Sequence, residues 1–274
     1  MPRQLRITTR NAQFQQWLAL LSNRTKRQRT GEFLVQGVRP ITLAVEHGWS
    51  VRALVHPAGT RRSAWAEDLL DRHPGAAVAM APDLVRELGG KTDEAPEILA
   101  VIGLPEDRLD RIPRRADMLV TVFDRPTSPG NIGTLIRSAD AFGASGVIIT
   151  GHAADPYDPK AVRASTGSLF AVPTVRCGSH REVVDWVADL RAGGIDITVL
   201  GTDEHGDVDV ADQDLCRPTL ALLGNETNGL SAAWRDTADR MVRIPMTGSA
   251  SSLNAANAAT VLLYEAARQR RART

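Results

Sequence analysis

The sequence predicts an α/β protein in two parts, a small N-terminal α/β domain over residues 1–105 and a C-terminal domain over 117–274 built on a parallel sheet. Three observations carry this. Short apolar runs such as VRALVH (51–56), MLVTVF (118–123) and TLALLG (219–224) alternate with longer helix-periodic segments, the order that covers both faces of a parallel sheet. The stretch GLPEDRLDRIPRRA (103–116) is charged, holds two prolines and interrupts that alternation, as a domain boundary does. The length of 274 residues, 43% hydrophobic and 24% charged, is enough for two cores of ordinary composition.

In the N-terminal part a helix is expected over 12–21, then a basic loop at 23–29 and a short strand at 33–36. A helix over 38–47 leads to the buried strand 51–56. A helix near 63–72, a strand at 77–80, a helix near 82–88 and a strand at 98–103 complete the unit. In the C-terminal part strand 118–123 runs into the turn-rich loop DRPTSPG, followed by a helix over 131–142 and a strand at 146–150. A helix near 159–168, a strand at 171–175, a helix at 180–192 and a strand at 195–200 come next. Strands 219–224 and 241–245 and a helix over 252–270 end the chain.

Charge narrows the function. The net charge is only +1, yet residues 1–40 carry Arg3, Arg6, Arg10, Arg24, Lys26, Arg27, Arg29 and Arg39 against Glu32 alone. The chain also ends on Arg268, Arg270, Arg271 and Arg273. Basic clusters on a nearly neutral protein are what a polyphosphate-binding surface requires, which points to nucleic acid. No apolar run approaches the ~18 residues of a membrane span, and the basic N-terminus lacks the apolar stretch of a secretion signal. Cys177 and Cys216 form no CxxC pair, and His47, His56 and His73 lack ligand spacing. Both facts argue against a metal site, and the cysteine usage suits a reducing cytoplasm. Aromatic residues are 4%, so stacking of bases on aromatic platforms is expected to be minor.

In an open parallel sheet, ligands bind at the carboxyl ends of the strands. Three segments at such ends are rich in Gly, Asn and Ser: PGNIGTLIRSADAFG (129–143), LGNETNGLS (223–231) and IPMTGSASSLNAANAA (244–259). No GxGxxG, GxxxxGK[ST] or GxSxG occurs. A nicotinamide-dependent oxidoreductase, a P-loop nucleotidase and an α/β-hydrolase are therefore disfavoured.

Taken together, the three segments resemble the motifs of the SpoU/TrmH family in the SPOUT superfamily of RNA methyltransferases. The first is Asn131, Gly133, Arg137 and Ala141-Phe142-Gly143-Ala144. The second is Leu222-Leu223-Gly224-Asn225-Glu226 with Gly229, and the third is Ile244-Pro245-Met246 with Ser252-Leu253-Asn254. The front part resembles the family's L30e-like substrate-binding domain, in which a basic segment precedes Phe-x-Val-x-Gly. Here residues 24–29 precede Phe33-Leu34-Val35-Gln36-Gly37, with Gln36 where Glu is usual.

The resemblance implies a deep trefoil knot in the C-terminal SPOUT domain and S-adenosylmethionine as cofactor. The loops holding the cofactor would be Thr150 and Gly151, then Leu223, Gly224 and Asn225, then Ile244, Met246, Ser252 and Leu253. It also implies a homodimer through the knotted domain, with a site drawing on both chains. Arg137 matches the catalytic arginine. A guanidinium keeps its proton in proteins, so its expected role is to bind a phosphate, orient the ribose hydroxyl and stabilise developing alkoxide charge. Asn254 and Ser252 would contact ribose, phosphate or cofactor at a helix start, with plain N-capping as the alternative. Asn131 and Glu226 would order the site, with an arginine ion pair as the alternative for Glu226. Arg24, Lys26, Arg27 and Arg29 would bridge phosphates of folded RNA. The implied reaction is methyl transfer to a ribose 2′-hydroxyl of structured RNA. The implied target is 23S rRNA, with enzymes of the antibiotic self-protection type among the relatives. A tRNA methyltransferase and a non-catalytic ribosome assembly factor stand as alternatives.

Overall fold

The computed structural model describes residues 5–90 and 95–273, so Arg3 lies outside the described residues. The chain divides into two compact units, one of Met1–Pro105 with Tyr157–Val162, the other of Glu106–Pro156 with Arg163–Thr274.

The first unit holds strands β1 (Leu5–Ile7), β2 (Glu32–Gln36), β3 (Val51–Pro57), β4 (Ala77–Met80) and β5 (Leu99–Gly103) in the order β1-β4-β3-β5-β2. β5 runs antiparallel to both β2 and β3, while β1, β3 and β4 are mutually parallel. The helix Ala12–Ser22 starts where the Asn11 side chain accepts the Phe14 N–H. It buries Phe14, Trp17 and Leu20 against Val55, Val78 and Val101. β1 escapes sequence reading because three residues carry no period.

The expected basic loop is instead a helix, Arg24–Thr30. The Asn23 carboxamide accepts the Lys26 N–H at 2.9 Å, and Gly31 closes the helix in the left-handed region at φ +65°. A helix places its side chains on different faces, and this separates the four cations. Arg29 is exposed and Arg24 and Lys26 are half-buried, but Arg27 is 2% exposed. Its guanidinium donates to the Leu20 carbonyl at 2.7 Å and pairs with Asp158 at 3.6 Å. A charge buried this deeply persists only when paired. Arg27 is therefore a structural group and not a phosphate contact.

The second unit is a seven-stranded sheet. Its strands are β6 (Leu119–Asp124), β7 (Gly146–Thr150), β8 (Thr174–Cys177), β9 (Thr198–Thr202), β10 (Val208–Asp209), β11 (Thr219–Leu223) and β12 (Arg240–Arg243). They lie in the order β10-β12-β9-β11-β6-β7-β8, and every pairing is parallel. β6 and β11 sit centrally and are buried along their whole length, as their unbroken apolar runs require. On one side Trp186, Val187 and Leu190 of the helix His180–Ala192 join a core with Val120, Leu222 and Trp234. The helices Pro129–Ala141 and Ala255–Ala272 meet through a 2.6 Å hydrogen bond between the Ser138 and Thr260 hydroxyls. The helix expected over 159–168 breaks into Pro159–Ser165 and Ser168–Ala171, because Thr166 and Gly167 take φ +50° and +101°. The helix Ala232–Thr237, six residues long, is too short to show a period in the sequence.

Candidate active site

β9, β11 and β12 are neighbours in the sheet, and the loops leaving their carboxyl ends enclose a cleft of about 520 Å³. β9 contributes Thr202, Asp203 and Glu204, β11 contributes residues 223–229, and Ile244, Met246, Ser252 and Leu253 follow β12.

The β11 loop is the most tightly built of the three. A Cβ on Gly224 would collide with the backbone of Gly229 and Leu230, so only glycine lets the chain double back there. Asn225 and Gly229 then exchange both backbone hydrogen bonds at 3.0 Å. Inside the fold-back the Asn225 carboxamide oxygen accepts the N–H groups of Thr227 and Asn228. On the far wall Arg235 pairs with Asp203 at 2.7 Å.

Glu226 links this loop to the start of the helix Pro129–Ala141. One carboxylate oxygen accepts the N–H and hydroxyl of Thr127, both at 3.1 Å. The other accepts the Asn131 side-chain amide at 2.9 Å and the Ser128 N–H at 3.3 Å. Asn131 in turn accepts from the Asn254 amide at 3.2 Å. Burial pushes the Glu226 carboxyl upward, but the bonds from Asn131 and Thr127 outweigh it and hold it below the usual glutamate range. A lowered folded value means these bonds stabilise the fold above the ordinary glutamate range and are lost as pH falls through the lowered value. The arginine partner considered for Glu226 is not what the carboxylate uses; amide, hydroxyl and backbone donors fill its lone pairs.

Asn254 is the N-cap of the last helix, its oxygen accepting from Ala256 and Asn257. The helix therefore begins at Ala255 and not at 252, and exposed Ser252 faces the cleft without capping anything. Of the residues expected to be catalytic, Asn131, Glu226 and Asn254 form one hydrogen-bonded chain. Arg137 does not join it. It lies two turns further along the helix Pro129–Ala141, exposed and with no ion pair or hydrogen bond among the described residues.

Thr150 and Gly151 require a correction. Thr150 ends β7 and Gly151 follows it; β7 is separated from the cleft strands by β6, and neither residue lines the cleft. The Thr150 hydroxyl is buried, donating to Asp124 at 3.4 Å and accepting from the Trp234 indole at 3.3 Å. The loop that borders the cleft in their place is Thr202-Asp203-Glu204. Its signal was present in the sequence as Gly201-Thr202-Asp203-Glu204 after an apolar run, but nothing there ranks one strand end above another.

Comparison with known proteins gives this arrangement its setting. Residues 11–100 match the SpoU L30e-like domain and residues 118–264 match the SpoU rRNA methylase family. The chain is 63% identical to the 23S rRNA (uridine(2479)-2′-O)-methyltransferase of Streptomyces viridochromogenes, over 98% of this chain and 94% of that one. It is 28% identical to the 23S rRNA (guanosine(2553)-2′-O)-methyltransferase RlmP of Bacillus subtilis, over 94% and 96%. The crystal structure of the SpoU methyltransferase AviRb from Streptomyces viridochromogenes in complex with the cofactor AdoMet superposes with a TM-score of 0.92 at 63% identity. That superposition covers 95% of this chain and 98% of AviRb. An AdoMet-bound rRNA methyltransferase from Sinorhizobium meliloti superposes with a TM-score of 0.85 at 28% identity, over 96% and 97%. Since the methylase match spans the sheet, the cleft and all three loops, and the L30e-like match precedes it in the same chain, this protein belongs to the SpoU rRNA methylase family.

Proposed function

We propose that this chain transfers the methyl group of S-adenosylmethionine to the 2′-hydroxyl of a uridine ribose in 23S rRNA. The observation that carries this is the Glu226–Asn131–Asn254 chain, which joins the cleft to the helix bearing Arg137. The uridine of 23S rRNA follows the relative of 63% identity.

The residues present fit the cofactor. Leu223, Ile244, Met246 and Leu253 offer apolar contact to a purine, and Glu204 offers an acceptor for ribose hydroxyls. Gly224 lets the loop double back so that residues 223–229 line the cleft. When bound, the cofactor supplies a methyl group already activated on a sulfonium. Most of the remaining task is to hold the attacking oxygen in line. Asn254 and Asn131, next to the cleft residues Leu253 and Glu226, would hydrogen-bond the ribose, with Glu226 orienting Asn131 and, through it, Asn254. Arg137 binds the neighbouring phosphate and stabilises charge developing on the oxygen. It does not line the cleft within its own chain, which supports a site completed in a homodimer through the knotted methylase domain. Exposed Val261 and Tyr264 on the last helix provide apolar surface for such a contact. The enzyme works in the cytoplasm, and a methyl group added to the ribosome suits protection against a ribosome-directed antibiotic.

The L30e-like unit supplies RNA affinity through Arg24, Lys26 and Arg29. Replacing Lys26 and Arg29 with alanine is expected to weaken rRNA binding and to lower the salt slope of log Kd by about 1.5, two phosphate contacts' worth. Binding titrations across salt concentrations check this, and an unchanged slope moves the RNA surface elsewhere.

The proposal is tested by incubating the protein with labelled S-adenosylmethionine and unmodified 23S rRNA. Label on a ribose 2′-oxygen supports it. Label on a base, or transfer to tRNA alone, contradicts it.

A further inference from the structure

We propose that Arg125 is a positioning residue that holds the β11 loop in its cofactor-binding shape, so that its loss weakens cofactor binding more than it weakens RNA binding. The inference rests on reading the cleft as the S-adenosylmethionine site.

Arg125 is not a glycine, yet it takes φ +51°. Such a conformation is unfavourable for a residue with a Cβ and persists only where the surroundings over-determine it. They do so here on three sides. Its N–H donates to the Thr150 carbonyl at 3.0 Å. Its own carbonyl accepts the Asn225 amide at 2.6 Å. Its guanidinium pairs with Asp124 at 3.1 Å and donates to the Gly229 carbonyl at 3.3 Å. Asn225 and Gly229 are the two ends of the fold-back that lines the cleft, so one residue grips both.

Asp124 extends the grip. This carboxylate, 4% exposed, also accepts the Ser231 N–H at 2.9 Å, fixing the exit of the same loop. Beneath lies Gly151, at φ +70°, where a Cβ would stand 2.8 Å from the Arg125 Cγ. The glycine set aside as a cofactor contact thus acquires a use: it leaves room for the arginine stem. Arg125 itself is not among the cleft-lining residues. It stands behind the loop and acts on the cofactor through it. Lysine cannot replace it fully, because a planar fork reaches Asp124 and Gly229 at once and an ammonium does so poorly. A loop already held in its bound shape spares the ordering cost at binding.

The experiment compares wild type with Arg125→Met, Arg125→Lys and Gly151→Ala. It measures S-adenosylmethionine affinity by calorimetry, KM for cofactor and for RNA, kcat at saturating cofactor, and melting without ligand. Arg125→Met is expected to bind the cofactor roughly tenfold more weakly, as loss of charge-assisted bonds implies. KM for the cofactor rises in step, and by more than kcat or the KM for RNA changes. Arg125→Lys falls between. Gly151→Ala weakens cofactor binding in the same direction, although residue 151 is off the cleft. Wild-type cofactor affinity in both Arg125→Met and Gly151→Ala overturns the proposal, whether or not melting falls. So does a raised KM for RNA with unchanged cofactor affinity, which would make Arg125 an RNA contact. A wild-type protein that binds no S-adenosylmethionine removes the reading of the cleft and this inference with it, a result distinct from the others.

Discussion

Replacing Arg137 with alanine is expected to lower methyl transfer by about 10²–10³-fold, the usual loss when one preorganised donor to a developing oxyanion is removed. Cofactor affinity is expected to stay at the wild-type level, because Arg137 is not among the residues that line the cleft. Melting is expected to stay unchanged as well, since the side chain is exposed and bonds to nothing among the described residues. Arg137→Lys keeps the charge without the planar fork and should recover only part of the rate. Single-turnover transfer alongside calorimetry separates these readouts. Wild-type transfer by Arg137→Ala would remove Arg137 from the reaction.

Gly224→Ala is expected to abolish measurable cofactor binding. Its Cβ would meet the backbone of Gly229 and Leu230, and backbone cannot swing aside as a flexible side chain can. The two Asn225–Gly229 hydrogen bonds must open, and with them the shape of the β11 wall. Overpacking of this kind typically also costs about 1–3 kcal/mol of stability. Gly248→Ala is the matched control: it lies in the loop after β12, with nothing within 4 Å of the added Cβ. Calorimetric titration and thermal unfolding of the pair check this. Equal cofactor affinity in both variants would mean that the fold-back does not shape the site.

Much of the architecture was legible because its signals are local. The apolar runs of β6 and β11 depend only on neighbours in sequence. The second and third cleft loops were marked by their resemblance to family motifs, yet the last helix starts at Ala255 behind the Asn254 cap and not at 252. What was not legible depends on which strands lie side by side. Thr150-Gly151 and Thr202-Asp203 both follow buried strands, and only the order β12-β9-β11-β6-β7 puts one at the cleft and the other behind it. The basic segment shows a different limit. Asn23 and Gly31 are ordinary helix-end residues, yet the density of charge suggested a loop. Nothing local shows that Arg27 turns inward to Leu20 and Asp158 while Arg29 faces solvent. The partner of Glu226 was open for the same reason, because Thr127 and Asn131 lie about a hundred residues away in sequence.

The most direct test of ribose methyl transfer to 23S rRNA is a nucleotide-resolution map of 2′-O-methyl groups. It would cover total RNA from cells expressing the wild-type protein and from cells expressing Arg137→Ala. One additional methylated uridine in 23S rRNA, present only with the wild type, is the predicted result. Identical maps, or an added methyl group found only in tRNA, would contradict it.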